Sequence, residues 1–196
     1  MPADGPPLSR IVARDTLQIV LGILVVGALL FVATGVWPPL VAVESGSMEP
    51  TLERGDLVVV TEQGRFTGPA ADEFGVVTAN ESEGYARIGN AGDVVVYAPP
   101  GRRGSPIIHR AVFAVDAGEN WYARANETYV AGADSCAELR NCPAPHAGYI
   151  TRGDNNDYYD QARGIAPPVR PQWIRAKAQF HVPYLGLVRL ELQKRL

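Results

Sequence analysis

Two serines, one histidine and three aspartates stand in this chain where together they could run an acyl transfer. The serines lie in Ser45-Gly46-Ser47-Met48-Glu49-Pro50, which continues Thr51-Leu52-Glu53-Arg54-Gly55-Asp56. A serine nucleophile needs a sharp, exposed backbone, a base within reach of its hydroxyl and donors for an oxyanion. The Ser-Gly-Ser turn supplies the first and part of the third. The candidate base is His109, in the strand-like run Ile107-Ile108-His109-Arg110-Ala111-Val112; the other histidines are His146 and His181. A strand histidine taken alone is usually structural. Its context changes that, because the acid cluster Gly153-Asp154-Asn155-Asn156-Asp157-Tyr158-Tyr159-Asp160 follows it. A Ser, a His and an Asp from separate elements are what a triad uses, whatever their chain order.

The serine turn emerges from an apolar segment. From Thr16 to Val43 there is no charge, and Leu17 to Trp37 is rich in Leu, Val, Ile and Gly. Roughly 20 apolar residues span a bilayer as a helix, whereas a cleaved signal peptide has an apolar core of about 7–15. A permanent anchor is therefore expected. Arg10 and Arg14 precede it and the next cation is Arg54, which favours a cytoplasmic N-terminus and an outer C-terminal domain. Trp37 is expected at the outer interface, with Pro38 and Pro39 ending the helix. The expected organisation is a tail at 1–15, an anchor at 16–37 and an extracytoplasmic domain at 38–196.

That domain reads as mainly β. The 16 Pro and 20 Gly separate short Val-rich runs: Leu57 to Val60, Val94 to Tyr97, Ile107 to Val115 and Trp173 to Val182. Gly55-Asp56, Gly92-Asp93 and Gly153-Asp154 fall at turns, and two of them directly precede Val-rich strands. The pattern is an antiparallel β domain with long connections. Residues 116–147 have little periodicity and read as a peripheral insertion. They contain both cysteines, Cys136 and Cys142, whose spacing closes a small loop; outside the cytosol a disulfide is expected, and two free thiols are the alternative. The stretch Phe180 to Leu196, interrupted by Arg189, Glu191, Lys194 and Arg195, reads as a final strand or an interfacial segment.

Taken together, the serine block, the Ile-His-Arg block and the Gly-Asp-Asn-Asn block resemble type I signal peptidases of the archaeal and endoplasmic-reticulum kind, in the same order and behind the same anchor. The resemblance implies an antiparallel β-sheet catalytic domain of signal-peptidase type. It makes Ser47 the nucleophile and His109 the general base. Bacterial-type relatives carry a Lys in place of this His; here Lys177 and Lys194, the only lysines, follow every block. For the acid the family pattern favours Asp160, with Asp154 the alternative in a turn role and Asp157 the weakest of the three. Ser45 is either a second oxyanion donor or a turn hydroxyl bonded to its own backbone. The substrates so implied are signal peptides of secretory precursors, cut after small residues, with the lipid bilayer of the cell membrane and the secretion machinery as further partners and no cofactor.

The remaining signals narrow the field. A formal net charge of −3 with 20% charged residues argues against a nucleic-acid binder, which shows a basic face. No His/Cys set has metal spacing, and no glycine-rich loop suits a phosphate. Arg54-Gly55-Asp56 and Arg152-Gly153-Asp154 spell an adhesion tripeptide, but both lie inside blocks with another explanation. Asn80-Glu81-Ser82 and Asn126-Glu127-Thr128 have the form of N-glycosylation acceptors. Two other functions stay open at this stage: an anchored serine protease of related fold that cleaves itself or a regulator, and a non-enzymatic anchored β module.

Overall fold

A computed structural model describes residues 8–193; residues 1–7 of the expected tail and Lys194 to Leu196 lie outside the described residues. Helix α1 runs Leu8–Thr34, and its part Val12–Thr34 has a mean hydropathy of 2.6 and is exposed along most of its length, with Thr34 buried at its end. Among the described residues it is the one helix long and apolar enough to cross a membrane. It ends before Trp37, earlier than the prolines would require. Gly35 adopts φ 74°, and its N–H donates to Phe31 O at 2.8 Å. A Cβ at Gly35 would sit 2.5 Å from Glu62 Cδ. The last carbonyls of a helix have no partner within it and carry partial negative charge. Here the β domain satisfies them: Glu62 N–H donates to Thr34 O at 2.9 Å, and Arg65 donates to Val32 O at 2.8 Å and to Ala33 O at 3.3 Å. Pro38 and Pro39 instead lead into the first strand.

The strands are β1 (Leu40–Ala42), β2 (Leu57–Thr61), β3 (Ala86–Arg87), β4 (Asn90–Ala91), β5 (Val94–Tyr97), β6 (Ile107–Val115), β7 (Gly148–Arg152) and β8 (Ile174–Val182). Six of them form one sheet in the order β1-β2-β8-β5-β6-β7, antiparallel at every pairing, while β3 and β4 make a small separate hairpin. This is the mainly β, antiparallel architecture expected. β5 is central and all four of its residues are buried, so both faces need apolar cover and the Val run reads without alternation. Val94 and Val96 pack with Val43, Met48, Leu52, Val58 and Val60; Val95 and Tyr97 pack with Ile107, Ala111, Tyr149 and Val169.

Two short helices complete the frame. Helix α2 (Asp160–Arg163) follows the acid cluster, and helix α3 (Gly186–Gln193) follows β8. Among the described residues the C-terminal stretch is strand to Val182, a turn at 183–185 and helix from Gly186 to Gln193. The segment 116–147 is not a peripheral excursion. Trp121, Val130, Leu139 and Ala144 are buried from it against Phe113, Ile150, Tyr159 and Ala162, forming a third apolar cluster. Its 3₁₀ turns and loops carry no regular period, so its contribution to the core is invisible to pattern reading. Cys136 and Cys142 are joined by a disulfide within it.

Candidate active site

Each candidate side chain is placed by a different element. Ser47 follows β1 in a turn whose next residue, Met48, is fully buried, as is Leu52. These two apolar anchors fix the backbone on either side of a half-buried serine. His109 lies on β6, 6% exposed, and Asp160 opens α2 with no exposure. Ser47 Oγ is 3.0 Å from His109 Nε2, and His109 Nδ1 is 2.7 Å from Asp160 Oδ2. The structure therefore brings Ser47, His109 and Asp160 into one hydrogen-bonded line. Ser45 Oγ lies 3.2 Å from Ser47 Oγ, a hydroxyl contact rather than a bond to its own backbone.

Asp154 stands outside that line. Arg110 grips its carboxylate with both prongs, Nε to Oδ1 at 2.8 Å and Nη2 to Oδ2 at 2.6 Å. Thr51 and Asn90 also donate to Oδ2, at 2.6 and 3.3 Å. The expected turn role is thus too small for it. Asp154 ties the serine block, through Thr51, to the residue beside His109. Successive residues of a strand point to opposite faces, which is why His109 meets one aspartate and Arg110 the other. Asp157 is exposed.

The rest of the acid block holds the serine turn from above. Asn155 N–H donates to Ser47 O at 2.9 Å, and its side chain donates to Gly46 O at 3.0 Å. Gly153 makes room for this, since a Cβ there would lie 2.4 Å from Ser47 O. Asn155, Thr51, Asn90 and Arg110 were not singled out by sequence reasoning, although three of them sit within the motif blocks themselves. Among the described residues no group of His, Cys, Asp and Glu has the arrangement of a metal site. The two adhesion-like tripeptides present no free acid: Asp56 is buried and paired with His181 at 2.7 Å, and Asp154 is held by Arg110.

Burial works to raise the pKa of the Asp154 carboxyl, but the hydrogen bonds and charge of Arg110, with Thr51 and Asn90, outweigh it and leave it below the usual value. A depressed carboxylate stabilises the fold above its unfolded pKa, and that stabilisation is lost as the pH falls through the folded value. Asp154→Ala should therefore cost about 3–5 kcal/mol at neutral pH, because Arg110 stays buried without its counter-charge. The variant should also lose part of the wild type's fall in stability on acidification below about pH 4. Chemical denaturation at pH 7 and pH 3 measures both; an unchanged midpoint at pH 7 would contradict the clamp.

An Oγ–imidazole–carboxylate line on an antiparallel sheet, behind one membrane-length helix, is the arrangement of a serine-type acyl-transfer hydrolase. The family described as signal peptidase, peptidase S26, matches residues 15–161. The chain is 31% identical over 157 residues to the signal peptidase complex catalytic subunit sec11 of Schizosaccharomyces pombe, covering 79% of this chain and 67% of that one. It is 30% identical over 166 residues to the signal peptidase complex catalytic subunit SEC11C of Homo sapiens, covering 82% and 60%. Against the sec11 subunit of Aspergillus oryzae it is 28% identical over 159 residues, covering 80% and 66%. The chain belongs to the signal peptidase family. It spans 60–67% of the length of these relatives.

Proposed function

We propose that this chain is a membrane-anchored serine endopeptidase that removes N-terminal signal peptides from secretory precursors. The observation that carries the reading is the Ser47–His109–Asp160 line, with contacts of 3.0 and 2.7 Å, close behind helix α1. His109 Nε2 takes the Ser47 proton as Oγ attacks the scissile carbonyl, and Asp160 holds the imidazole with its proton on Nδ1. The oxyanion meets the Ser47 N–H, with the Ser45 hydroxyl as second donor. The leaving amine takes the proton from His109, and a water activated by His109 hydrolyses the acyl-enzyme.

Topology gives the substrate. Residues 35–46 separate the end of α1 from Ser47, and part of that stretch is tied into the sheet as β1. The nucleophile therefore stays near the membrane, where a precursor's apolar core places the bond after its small residues. The catalytic domain lies on the outer side of the cell membrane, by the cation asymmetry around the helix. Relatives named as catalytic subunits of a signal peptidase complex support partner subunits here too.

The test is cleavage of a secretory precursor by the detergent-solubilised full chain, with the new N-terminus sequenced. A cut after the small residues, lost when the apolar core is deleted from the precursor, is expected. Cleavage of the chain itself with an intact precursor would favour the self-processing alternative. The base carries a second prediction. His109→Lys should be no more than about tenfold better than His109→Ala, because a Lys base must be neutral while a buried aspartate favours the ammonium. Turnover near wild type by the Lys variant would contradict the imidazole's role.

A further inference from the structure

The Asp160 carboxylate has more partners than the histidine. Its Oδ2 lies 2.7 Å from His109 Nδ1, 2.8 Å from the Tyr97 hydroxyl and 2.7 Å from the Thr151 hydroxyl. Its Oδ1 is buried and meets no hydrogen-bond partner among the described residues. Everything that holds this carboxylate therefore converges on one oxygen, and a rotation about Cβ–Cγ would break all three bonds at once.

The sheet register makes this arrangement. Val95 stands opposite His109 and Tyr97 opposite Ile107, so Tyr97 is the diagonal neighbour of His109 on β5. Thr151 stands opposite Ala111, the diagonal neighbour on β7. Diagonal residues share one face of a sheet, and Tyr97, His109 and Thr151 form a row under the first residue of α2. Gln161 sets the direction of the Thr151 hydroxyl. Its amide nitrogen donates to Thr151 Oγ1 at 3.3 Å and its oxygen accepts from Thr151 N–H at 2.9 Å. With Oγ1 accepting from Gln161, the hydroxyl proton faces Asp160 Oδ2 at 2.7 Å rather than the Tyr97 hydroxyl, which lies farther off at 3.2 Å. Both hydroxyls are buried, so water does not compete for them.

We propose that Tyr97 and Thr151 are positioning residues of the Ser47–His109–Asp160 site, holding the Asp160 carboxylate anionic and in the rotamer that receives His109 Nδ1. The inference rests on the function proposed above. Two hydroxyl donors stabilise a buried carboxylate in place of water, and they keep the proton of the His–Asp bond on the imidazole side. Burial, with the Asp160 charge second, pushes the Tyr97 phenol well above its usual value, so it remains a donor throughout the working range of the site. Of the groups bonded to the carboxylate, His109 and Tyr97 are the titratable ones.

The experiment uses the full anchored chain and a signal-peptide-bearing precursor. It compares wild type, Tyr97→Phe, Thr151→Val, Thr151→Ser and the Tyr97→Phe/Thr151→Val pair. Each hydroxyl loss should lower kcat about tenfold, and the pair on the order of a hundredfold, with KM little changed. The acid limb of kcat/KM should move to higher pH, because an anion that loses donors makes the His–Asp unit bind its proton more tightly. Thr151→Ser should restore both. If Thr151→Val does not fold, Tyr97→Phe against wild type decides. A wild-type acid limb in Tyr97→Phe, with or without a lower melting temperature, would overturn the proposal. A Ser47→Ala control separates the two readings: if it is dead while Tyr97→Phe keeps the wild-type profile, only the positioning role fails, and if it still cleaves, the function itself fails.

Discussion

Asp160→Ala should lower kcat on the precursor by about 10⁴-fold. The loss comes from the imidazole. Without an acceptor at Nδ1, His109 is free to turn and to carry its proton on Nε2, where it can no longer accept from Ser47. The fold should survive, at a cost of about 1–3 kcal/mol for the Tyr97 and Thr151 hydroxyls left buried without their acceptor. Asp160→Asn should fall comparably, because the amide nitrogen must either face His109 Nδ1, which favours the wrong tautomer, or be buried at the Oδ1 position, which has no partner among the described residues. Asp154→Ala gives the opposite pattern, a large loss of stability with activity falling as the fold loosens. Single-turnover rates beside unfolding midpoints separate the two aspartates. A stable, inactive Asp154→Ala next to an active Asp160→Ala would make Asp154 the acid and refute the assignment.

Much of the frame could be read from local pattern. The runs Val94–Tyr97 and Ile107–Val115 coincide with β5 and β6, since a buried or half-buried strand is written in contiguous apolar residues. The three motif blocks are likewise contiguous, so they bring Ser47, His109 and the aspartates forward as candidates without any knowledge of packing. What stayed hidden depends on register and long-range docking. Asp154 and Asp160 look alike in sequence, and they differ because His109 and Arg110 face opposite sides of β6. Strand alternation was available as a signal, and applied to Arg110 it would have offered Asp154 a cation. Tyr97 closes a Val run and reads as core; its hydroxyl gains meaning only when β5 lies beside β6. Helix α1 ends before the apolar pattern does, at Thr34, where Gly35 turns the chain and the distant Arg65 meets its last carbonyls, and neither residue belongs to that pattern. Strand β7 is five residues long and sits between a loop-rich segment and the acid block, with no Val run to reveal it.

Ser47→Ala should remove precursor cleavage, with kcat reduced by on the order of 10⁶-fold. The hydroxyl is the one atom that forms the acyl bond, and no neighbouring group replaces it. Ser45 Oγ is 3.2 Å from Ser47 Oγ but makes no contact with His109 in the hydrogen-bond network, so it lacks a base. Ser45→Ala should accordingly be milder, about 10²–10³-fold, because the backbone donor to the oxyanion remains. Folding should be untouched in both variants, since the turn is held by Met48, Leu52 and Asn155 rather than by the hydroxyls. The most direct test of the account is a single-turnover cleavage assay with the full anchored chain in excess over a secretory precursor, wild type beside Ser47→Ala of equal melting temperature. The account predicts a mature product with its new N-terminus after the small residues from the wild type, and intact precursor from Ser47→Ala over the same period. The same product from Ser47→Ala at a comparable rate would contradict a serine mechanism at this site.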